Sequence, residues 1–276
     1  MKAEFGRKSV SILGCGWYGL ELGAVLGECG YHVRGSTRTE DRLGALREHD
    51  IEPFLLDLNS GLQEDQAADF FESDALVLNI PPGRDKTMAD RYAAQIKAVA
   101  TAVAGSRCRF VIFVSSTSVY PELCRIVTET DAVNPEKRSG RVLRQAECEL
   151  LGHSGFDCTV LRMAGLIGPG RLPGNFLQGK SEVSRGDARV NLVHRDDAVG
   201  ATCQVLEQSI RNEVFNVVAE EHPRRRDYYQ RAAAAIGVPP PTFIDEPDCA
   251  WKIVSGEKLK REIDYTFRYP DPEACI

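Results

Sequence analysis

A strand-length apolar segment that runs directly into three glycines constrains this chain more than any other stretch. Val-Ser-Ile-Leu at positions 10–13 is followed by Gly14, Gly16 and Gly19, with the spacing Gly-x-Gly-x-x-Gly, and then by a segment with helical periodicity. In such a strand-turn-helix Gly14 permits the tight turn, Gly16 admits a pyrophosphate to the backbone, and Gly19 allows close helix packing. The helix N-terminus supplies N–H donors for phosphate. The sequence therefore predicts a dinucleotide site at Gly14, Cys15, Gly16, Trp17, Tyr18 and Gly19.

Three alternatives to a nicotinamide dinucleotide stay open for this turn. FAD and S-adenosylmethionine proteins use similar turns, and glycines also recur in turns that bind no ligand. The strand before the turn and the helix after it favour a dinucleotide.

Composition excludes several other classes of protein. The 276 residues are 43% hydrophobic and carry a net charge of -6 without a basic block, so we expect no nucleic-acid partner. Residues 1–8 are charged and the apolar run behind them is only strand-length, so we expect neither a secretory signal nor a membrane span. Nine cysteines lie scattered without a C-x-x-C pair or metal-spaced histidines, which predicts small buried side chains and no metal site. We expect a cytoplasmic protein.

Strands and helices alternate along the first 165 residues. This alternation predicts an α/β fold with a doubly wound parallel sheet, the Rossmann fold. After the first helix, strands are predicted over 31–35, 51–56, 74–80, 109–114 and 157–163, and helices over 40–48, 85–104 and 138–153. Residues 123–136 are predicted to form an irregular loop.

A cluster of glycine and proline at 164–174 predicts a domain boundary. We predict a nucleotide-binding Rossmann domain over 1–165 and a small C-terminal substrate-binding lobe made mostly of 166–276. Within the latter, 188–220 returns to the Rossmann sheet, with strands over 190–193 and 214–218 around a helix over 196–207. A further helix is predicted over 224–236, and the last forty residues carry no predicted element.

The second strand ends without the carboxylate that an NAD site usually places there to hold the ribose. Ser36, Thr37 and Arg38 stand in its place. An arginine fork and a hydroxyl suit a 2′-phosphate, so Thr37 and Arg38 predict NADP, with NAD as the alternative cofactor. Arg38 as an ordinary solvated loop charge is the competing interpretation.

The ends of the next three strands supply further candidate residues. Asp57 and Leu58 are placed to meet an adenine edge, and the turn Ile80-Pro81-Pro82 follows a fully apolar strand. The fifth strand ends in four hydroxyl residues, 115–118. One of these hydroxyls binds a carbonyl or alcohol oxygen, or all of them cap a turn.

Several segments together resemble the extended short-chain dehydrogenase/reductase family, which contains nucleotide-sugar epimerases and dehydratases. The most specific are Ser-Ser-Thr-Ser-Val-Tyr at 115–120 and Leu-Arg-Met-Ala-Gly-Leu-Ile-Gly-Pro-Gly-Arg at 161–171, beside the glycine turn and Leu-Val-His-Arg-Asp-Asp-Ala at 192–198. The resemblance implies a seven-stranded Rossmann domain that carries NAD(P), a substrate cleft between two lobes, and a possible homodimer through the helices after the fourth and fifth strands. The same helix face would also suit packing against the sheet.

The resemblance assigns Ser116 to the catalytic serine or threonine, which hydrogen-bonds the reacting oxygen. The family's tyrosine base and the lysine four residues on are missing, because their positions hold Ser139 and Leu143. A one-residue shift gives Gly140 and Arg144. The candidate substitutes are Tyr120, Lys137, Arg144 and His194.

Three explanations follow from the missing pair: another residue reaches the site, the reaction needs no tyrosine, or the cofactor is bound without turnover. The leading function is an NADP(H)-binding epimerase/dehydratase-like oxidoreductase on a small hydroxyl or carbonyl substrate, a nucleotide sugar being one such substrate. The alternative is a non-catalytic NAD(P)-binding regulatory or interaction module.

Overall fold

The computed structural model describes residues 8–62, 64–83, 87–246 and 250–276. The strands are β1 Ser9–Leu13, β2 His32–Thr37, β3 Glu52–Leu55, β4 Ala75–Leu78, β5 Phe110–Ser116, β6 Ile126–Val127, β7 Asp157–Met163, β8 Gly165–Ile167, β9 Leu192–His194, β10 Val214–Val217 and β11 Ile253–Val254. The helices are α1 Trp17–Glu28, α2 Leu43–Arg47, α3 Glu64–Phe71, α4 Met88–Gly105, α5 Arg138–Leu151, α6 Arg195–Glu207, α7 Arg225–Ala235 and α8 Glu257–Ile263. No helix within these ranges is long and apolar enough to cross a membrane.

Seven strands form the central sheet in the order β10-β7-β5-β4-β1-β2-β3. β1 runs parallel to both β2 and β4, and the pairs β2–β3 and β4–β5 are also parallel. Every residue of β1 and β4 is buried, as expected of strands covered on both faces. The chain reverses its direction of winding between β1 and β4, so the predicted doubly wound α/β sheet is confirmed.

Close packing of α1 on the sheet depends on glycine. A Cβ added at Gly23 would lie 2.4 Å from Cδ1 of Ile51, and one at Gly35 would lie 2.7 Å from Sγ of Cys15. Leu22 and Leu26 of the same helix are fully buried. The small residues therefore let α1 lie directly over β1 and β2.

The chain divides into two compact units. The first takes its residues from Met1–Ser115, Arg141–Leu161 and Val205–Val214, and the second from Ser116–Gly140, Arg162–Gln204 and Phe215–Ile276. The two-lobe division at 165/166 stays a prediction.

A buried carboxylate organises the second unit. Asp197 is 1% exposed and accepts hydrogen bonds from the Tyr265 hydroxyl at 3.1 Å and from the backbone N–H groups of Arg268 and Tyr269 at 2.7 and 2.9 Å. Because these donors lie near the C-terminus, one side chain of α6 fixes the path of the terminal segment.

Several elements went unpredicted. β6 lies inside the expected loop over 123–136, and β11 and α8 lie in the final forty residues. β6 and β11 are two residues long and pair with each other, so no local alternation marks them. Half of the residues of α3 are acidic or amide, which hides its periodicity.

The cysteines are only partly as predicted. Among the described residues Cys15, Cys108, Cys158 and Cys203 are buried, while Cys29, Cys124 and Cys148 are exposed. All of them are free thiols.

The first turn of α5 lies against the segment that follows β5. A Cβ added at Gly140 would lie 2.2 Å from the carbonyl oxygen of Ser118, which is backbone and has little freedom to move. Gly27 in α1 is the opposite case, since no described atom lies within 4 Å of its added Cβ.

We expect Gly140→Ala to lower the free energy of unfolding by about 1–3 kcal/mol through steric overlap. Gly27→Ala should raise it by about 0.4–1 kcal/mol, because alanine restricts the unfolded chain without a clash. Urea unfolding of both variants measures the difference. Equal effects would contradict the close approach of Gly140 to Ser118.

Candidate functional site

The predicted site residues follow strands that are neighbours in the sheet. Carboxyl ends of adjacent parallel strands meet at one edge, which is where open α/β sheets bind ligands. The glycine turn follows β1, Thr37 and Arg38 lie at the end of β2, Asp57 and Leu58 follow β3, Ile80 to Pro82 follow β4, and Ser116 ends β5.

Neighbouring backbone packs tightly against Gly14 and Gly19 in the glycine turn, whereas Gly16 faces open space. Gly14 has φ +106°, and its added Cβ would lie 2.3 Å from the carbonyl oxygen of Asn79. An added Cβ at Gly19 would lie 2.5 Å from the Gly14 oxygen, whereas that of Gly16 has no described atom within 4 Å. α1 begins at Trp17, immediately after this open position. The shape fits a pyrophosphate that approaches Gly16 at a helix N-terminus.

Side chains from the two neighbouring strands hold Gly14. Its N–H donates to Oγ of Ser36 at 2.9 Å, and its carbonyl accepts from Nδ2 of Asn79 at 2.9 Å. The Cys15 N–H donates to the Ser36 carbonyl at 2.9 Å. Burial raises the pKa of the Cys15 thiol to about 12, so the cysteine in the turn is neutral.

Two exposed arginines lie at and just beyond the end of β2. The Thr37 side chain is mostly buried, and its Oγ1 accepts the Thr39 N–H at 3.4 Å. Arg38 is exposed and makes no hydrogen bond or ion pair with any described residue. Arg42 is also exposed, and its guanidinium is near enough to Cys15 to oppose the burial effect on that thiol's pKa.

Residues after β3 and β4 are held by local bonds. Oδ1 of Asp57 accepts the backbone N–H and the side-chain amide of Asn59, at 3.0 and 2.8 Å. Leu58 and Ile80 are half-buried, and the Tyr92 hydroxyl donates to the Ile80 carbonyl at 3.0 Å.

The two prolines that follow Ile80 differ in exposure. Pro81 is exposed and Pro82 is half-buried. The turn therefore presents a stiff surface beyond β4.

The paired serines at the end of β5 have different partners. Ser115 is buried and donates to Oε1 of Glu147 at 2.6 Å, a carboxylate with no exposed surface. Ser116 is half-buried, and its Oγ accepts the Ser118 N–H at 3.2 Å. Because Ser116 donates to no described residue, its hydroxyl proton is available to an oxygen of a ligand.

The positions assigned to the proton-transfer pair lie on α5. Ser139 is half-buried and Leu143 is 5% exposed. Leucine carries neither charge nor proton, and an isolated serine hydroxyl is too weak an acid to replace tyrosine.

Tyr120 and His194 are engaged in structural contacts. The Tyr120 hydroxyl donates to Oδ1 of Asn216 at 2.5 Å and accepts from Arg162 at 2.7 Å, while burial raises its pKa to about 12. Nδ1 of His194 accepts the Asp196 N–H at 3.3 Å, and burial lowers the pKa of the imidazole. The centroid of the His194 ring lies 4.0 Å from that of Tyr269, with the two rings tilted by 40°.

The two cationic candidates, Arg144 and Lys137, lie in different surroundings. Arg144 lies 3.5 Å from the Glu147 carboxylate, and Lys137 is exposed to solvent. Tyr120, His194 and Arg144 are thus held by other protein groups, while Lys137 faces solvent.

Asn79 was missed by sequence reasoning, and the inward role of the Ser36 hydroxyl was not foreseen. An amide residue directly after the buried β4 was the available signal, since the strand next to β1 must end beside the glycine turn. Nothing in the sequence shows which way a side chain turns at a strand end.

Comparisons with known proteins agree with this fold and extend across the chain. No family model matches it. It is 35% identical over 268 residues to the protein YeeZ of Escherichia coli (strain K12), covering 96% of this chain and 97% of YeeZ.

Solved structures share the fold at lower identity. A short-chain dehydrogenase/reductase superfamily protein from Agrobacterium tumefaciens with bound NAD has a TM-score of 0.77 at 18% identity, covering 94% of this chain and 92% of that one. The UDP-glucose 4-epimerase of Thermotoga maritima with UDP-glucose has a TM-score of 0.75 at 18% identity, covering 94% of each chain. This chain thus has the fold seen in proteins of the short-chain dehydrogenase/reductase superfamily, and it belongs to the family of YeeZ.

Proposed function

We propose that this chain binds NADP(H) on the glycine turn and uses it as an epimerase/dehydratase-like oxidoreductase on a small hydroxyl or carbonyl substrate. The observation that carries the proposal is the open approach at Gly16 above the first turn of α1. NAD in the Agrobacterium structure and UDP-glucose in the Thermotoga epimerase support the cofactor class and make a nucleotide sugar the first substrate to test.

NADP is preferred over NAD because an arginine follows β2 directly and the first carboxylates of the loop come only at Glu40 and Asp41. Arg38 has no partner among the described residues, and Arg42 follows on the same loop. A 2′-phosphate between two guanidinium groups would gain charge-assisted hydrogen bonds that NAD cannot make.

We expect Arg38→Ala to weaken NADPH binding by about 1.5–3 kcal/mol, the value of a charge-assisted hydrogen bond, and to leave NADH binding unchanged. Titration calorimetry with both cofactors measures this. Arg47→Ala removes an equal charge from exposed α2 and serves as the control. Equal losses for NADH and NADPH would remove the phosphate assignment.

Ser116 is the proposed contact for the reacting oxygen. Its unengaged hydroxyl proton can donate to a carbonyl oxygen and so stabilise negative charge that develops there. Bound nicotinamide would supply the hydride donor or acceptor.

A panel of UDP-sugars, aldehydes and ketones, followed by NADPH absorbance and by product analysis, tests for turnover. For any substrate that reacts, we expect Ser116→Ala to lower kcat by about 100-fold, because a donor to the developing oxyanion is lost. NADPH affinity should stay within about twofold, since the glycine turn is untouched. Ser154→Ala, at an exposed position, is the control. An unchanged kcat in Ser116→Ala would exclude the assigned role.

A non-catalytic NAD(P)-binding module is the second candidate function. Leu143 and Ser139 at the proton-transfer positions favour it, as do the structural contacts of Tyr120 and His194. Tight NADPH binding without turnover of any panel member would support this module, whereas substrate-dependent oxidation of NADPH would overturn it.

We also propose that two copies pair through α4 and α5. Ala94, Ala98 and Thr101 are exposed at helical spacing on α4. A groove between the helices is lined by Ala93, Ala94, Ile96, Lys97, Val142, Gln145, Ala146 and Glu149. Small side chains let helices of a second copy approach closely.

We expect Ala94→Glu to convert a dimer into a monomer, because it buries an unpaired charge in the contact. Sedimentation velocity measures the change. Ala234→Glu places the same charge on an exposed position of α7 and should leave the dimer intact. A monomeric wild-type protein would refute the pairing.

A further inference from the structure

The peptide group between Gly14 and Cys15 is held from both sides of β1. Its carbonyl oxygen accepts Nδ2 of Asn79, which follows β4, and its N–H donates to the Ser36 carbonyl on β2, both at 2.9 Å. The preceding peptide is fixed as well, since the Gly14 N–H donates to Oγ of Ser36 at 2.9 Å. Three hydrogen bonds with Ser36 and Asn79 therefore fix the orientations of the two peptide planes on either side of Gly14.

Gly14 needs such support because of its backbone conformation. At φ +106° it lies in a region that other residues avoid and that an unrestrained glycine leaves easily. The direction in which the chain leaves Gly14 sets its path through Gly16 into α1. It therefore also sets where the N–H groups of the first helical turn point.

Both side chains are placed by the sheet rather than by the turn itself. Ser36 is 2% exposed within β2, and the Asn79 N–H continues the ladder by donating to the Leu13 carbonyl at 2.9 Å. The Asn79 carbonyl also fills the space beside Gly14, since an added Cβ there would lie 2.3 Å from it. Supports on rigid strands hold a binding loop in one geometry before the ligand arrives, which reduces the entropy lost on binding.

We infer that Ser36 and Asn79 are positioning residues for the dinucleotide: they preorganise the glycine turn through Gly14 and touch no part of the cofactor. The inference rests on the proposed cofactor site and adds the residues that hold it in shape. Because the pyrophosphate is common to NADH and NADPH, both cofactors depend on this pair equally, unlike the dependence on Arg38.

The test is titration of NADPH and NADH into the wild-type protein and into Ser36→Ala, Asn79→Ala and Asn79→Asp. Loss of one hydrogen bond should weaken both cofactors by about 5–20-fold in each alanine variant. Asn79→Asp should weaken them by about 50-fold or more, because a carboxylate oxygen would face the Gly14 carbonyl and repel phosphate. The double alanine variant should lose less than the product of the single losses, since both side chains act through Gly14.

Ser73→Ala separates positioning from plain stability. Ser73 is fully buried and donates to the Ala75 carbonyl at 2.9 Å, so its loss removes an equivalent bond at the amino end of β4. We expect Ser73→Ala and Ser36→Ala to lower the thermal midpoint similarly, with cofactor affinity changed by less than about twofold in Ser73→Ala alone.

Two results would overturn the inference while leaving the cofactor site in place. These are wild-type affinity in Ser36→Ala and Asn79→Ala, or equal losses of affinity in Ser36→Ala and Ser73→Ala. A wild-type protein that binds neither NADPH nor NADH would instead overturn the proposed function, and the positioning role with it.

Discussion

The hydrogen bonds to Gly14 are the interaction on which the cofactor side of this molecule depends. β1 must end in a sharp turn for α1 to lie back over the sheet, and Ser36 of β2 and Asn79 after β4 supply partners for both polar groups of Gly14. Glycine is also needed at two positions further along the chain, because a larger side chain would not fit there. A side chain at Gly19 would collide with the Gly14 carbonyl, and one at Gly23 with Ile51. The glycine turn, α1 and the strands beside them are therefore packed closely against one another.

Local sequence signals account for most of the sheet. β7 has the predicted bounds 157–163, and β1, β4 and β5 lie within two residues of their predicted limits, because buried parallel strands are short apolar runs bounded by polar residues. The failures share a physical cause. β6 and β11 are defined by each other, 127 residues apart in the chain at Ile126 and Ile253, and two residues cannot show a periodicity.

The strand ends that carry the candidate residues were easier to predict than the hydrogen bonds that their side chains make. The residues expected to bind cofactor lie at the ends of adjacent strands, which follows from the topology alone. The topology does not show which hydroxyl group binds which partner. Oγ of Ser36 accepts the Gly14 N–H, whereas Oγ1 of Thr37 accepts the Thr39 N–H in the loop that follows. The same holds for Ser115 and Ser116, because successive residues of a strand face opposite sides and only Ser115 meets Glu147.

The register of α5 bears directly on Ser139 and Leu143, the residues that the family resemblance assigns to the proton-transfer positions. Gly140 touches the Ser118 carbonyl and Glu147 accepts from Ser115, and residues seven apart lie on one face of a helix after about two turns. Two contacts on one face prevent the helix from sliding or rotating to bring another residue to the position of Leu143. The leucine is buried and contributes packing, and Arg144 on the next position is paired with Glu147. Leucine can neither gain nor lose a proton, so α5 offers no general base at position 143.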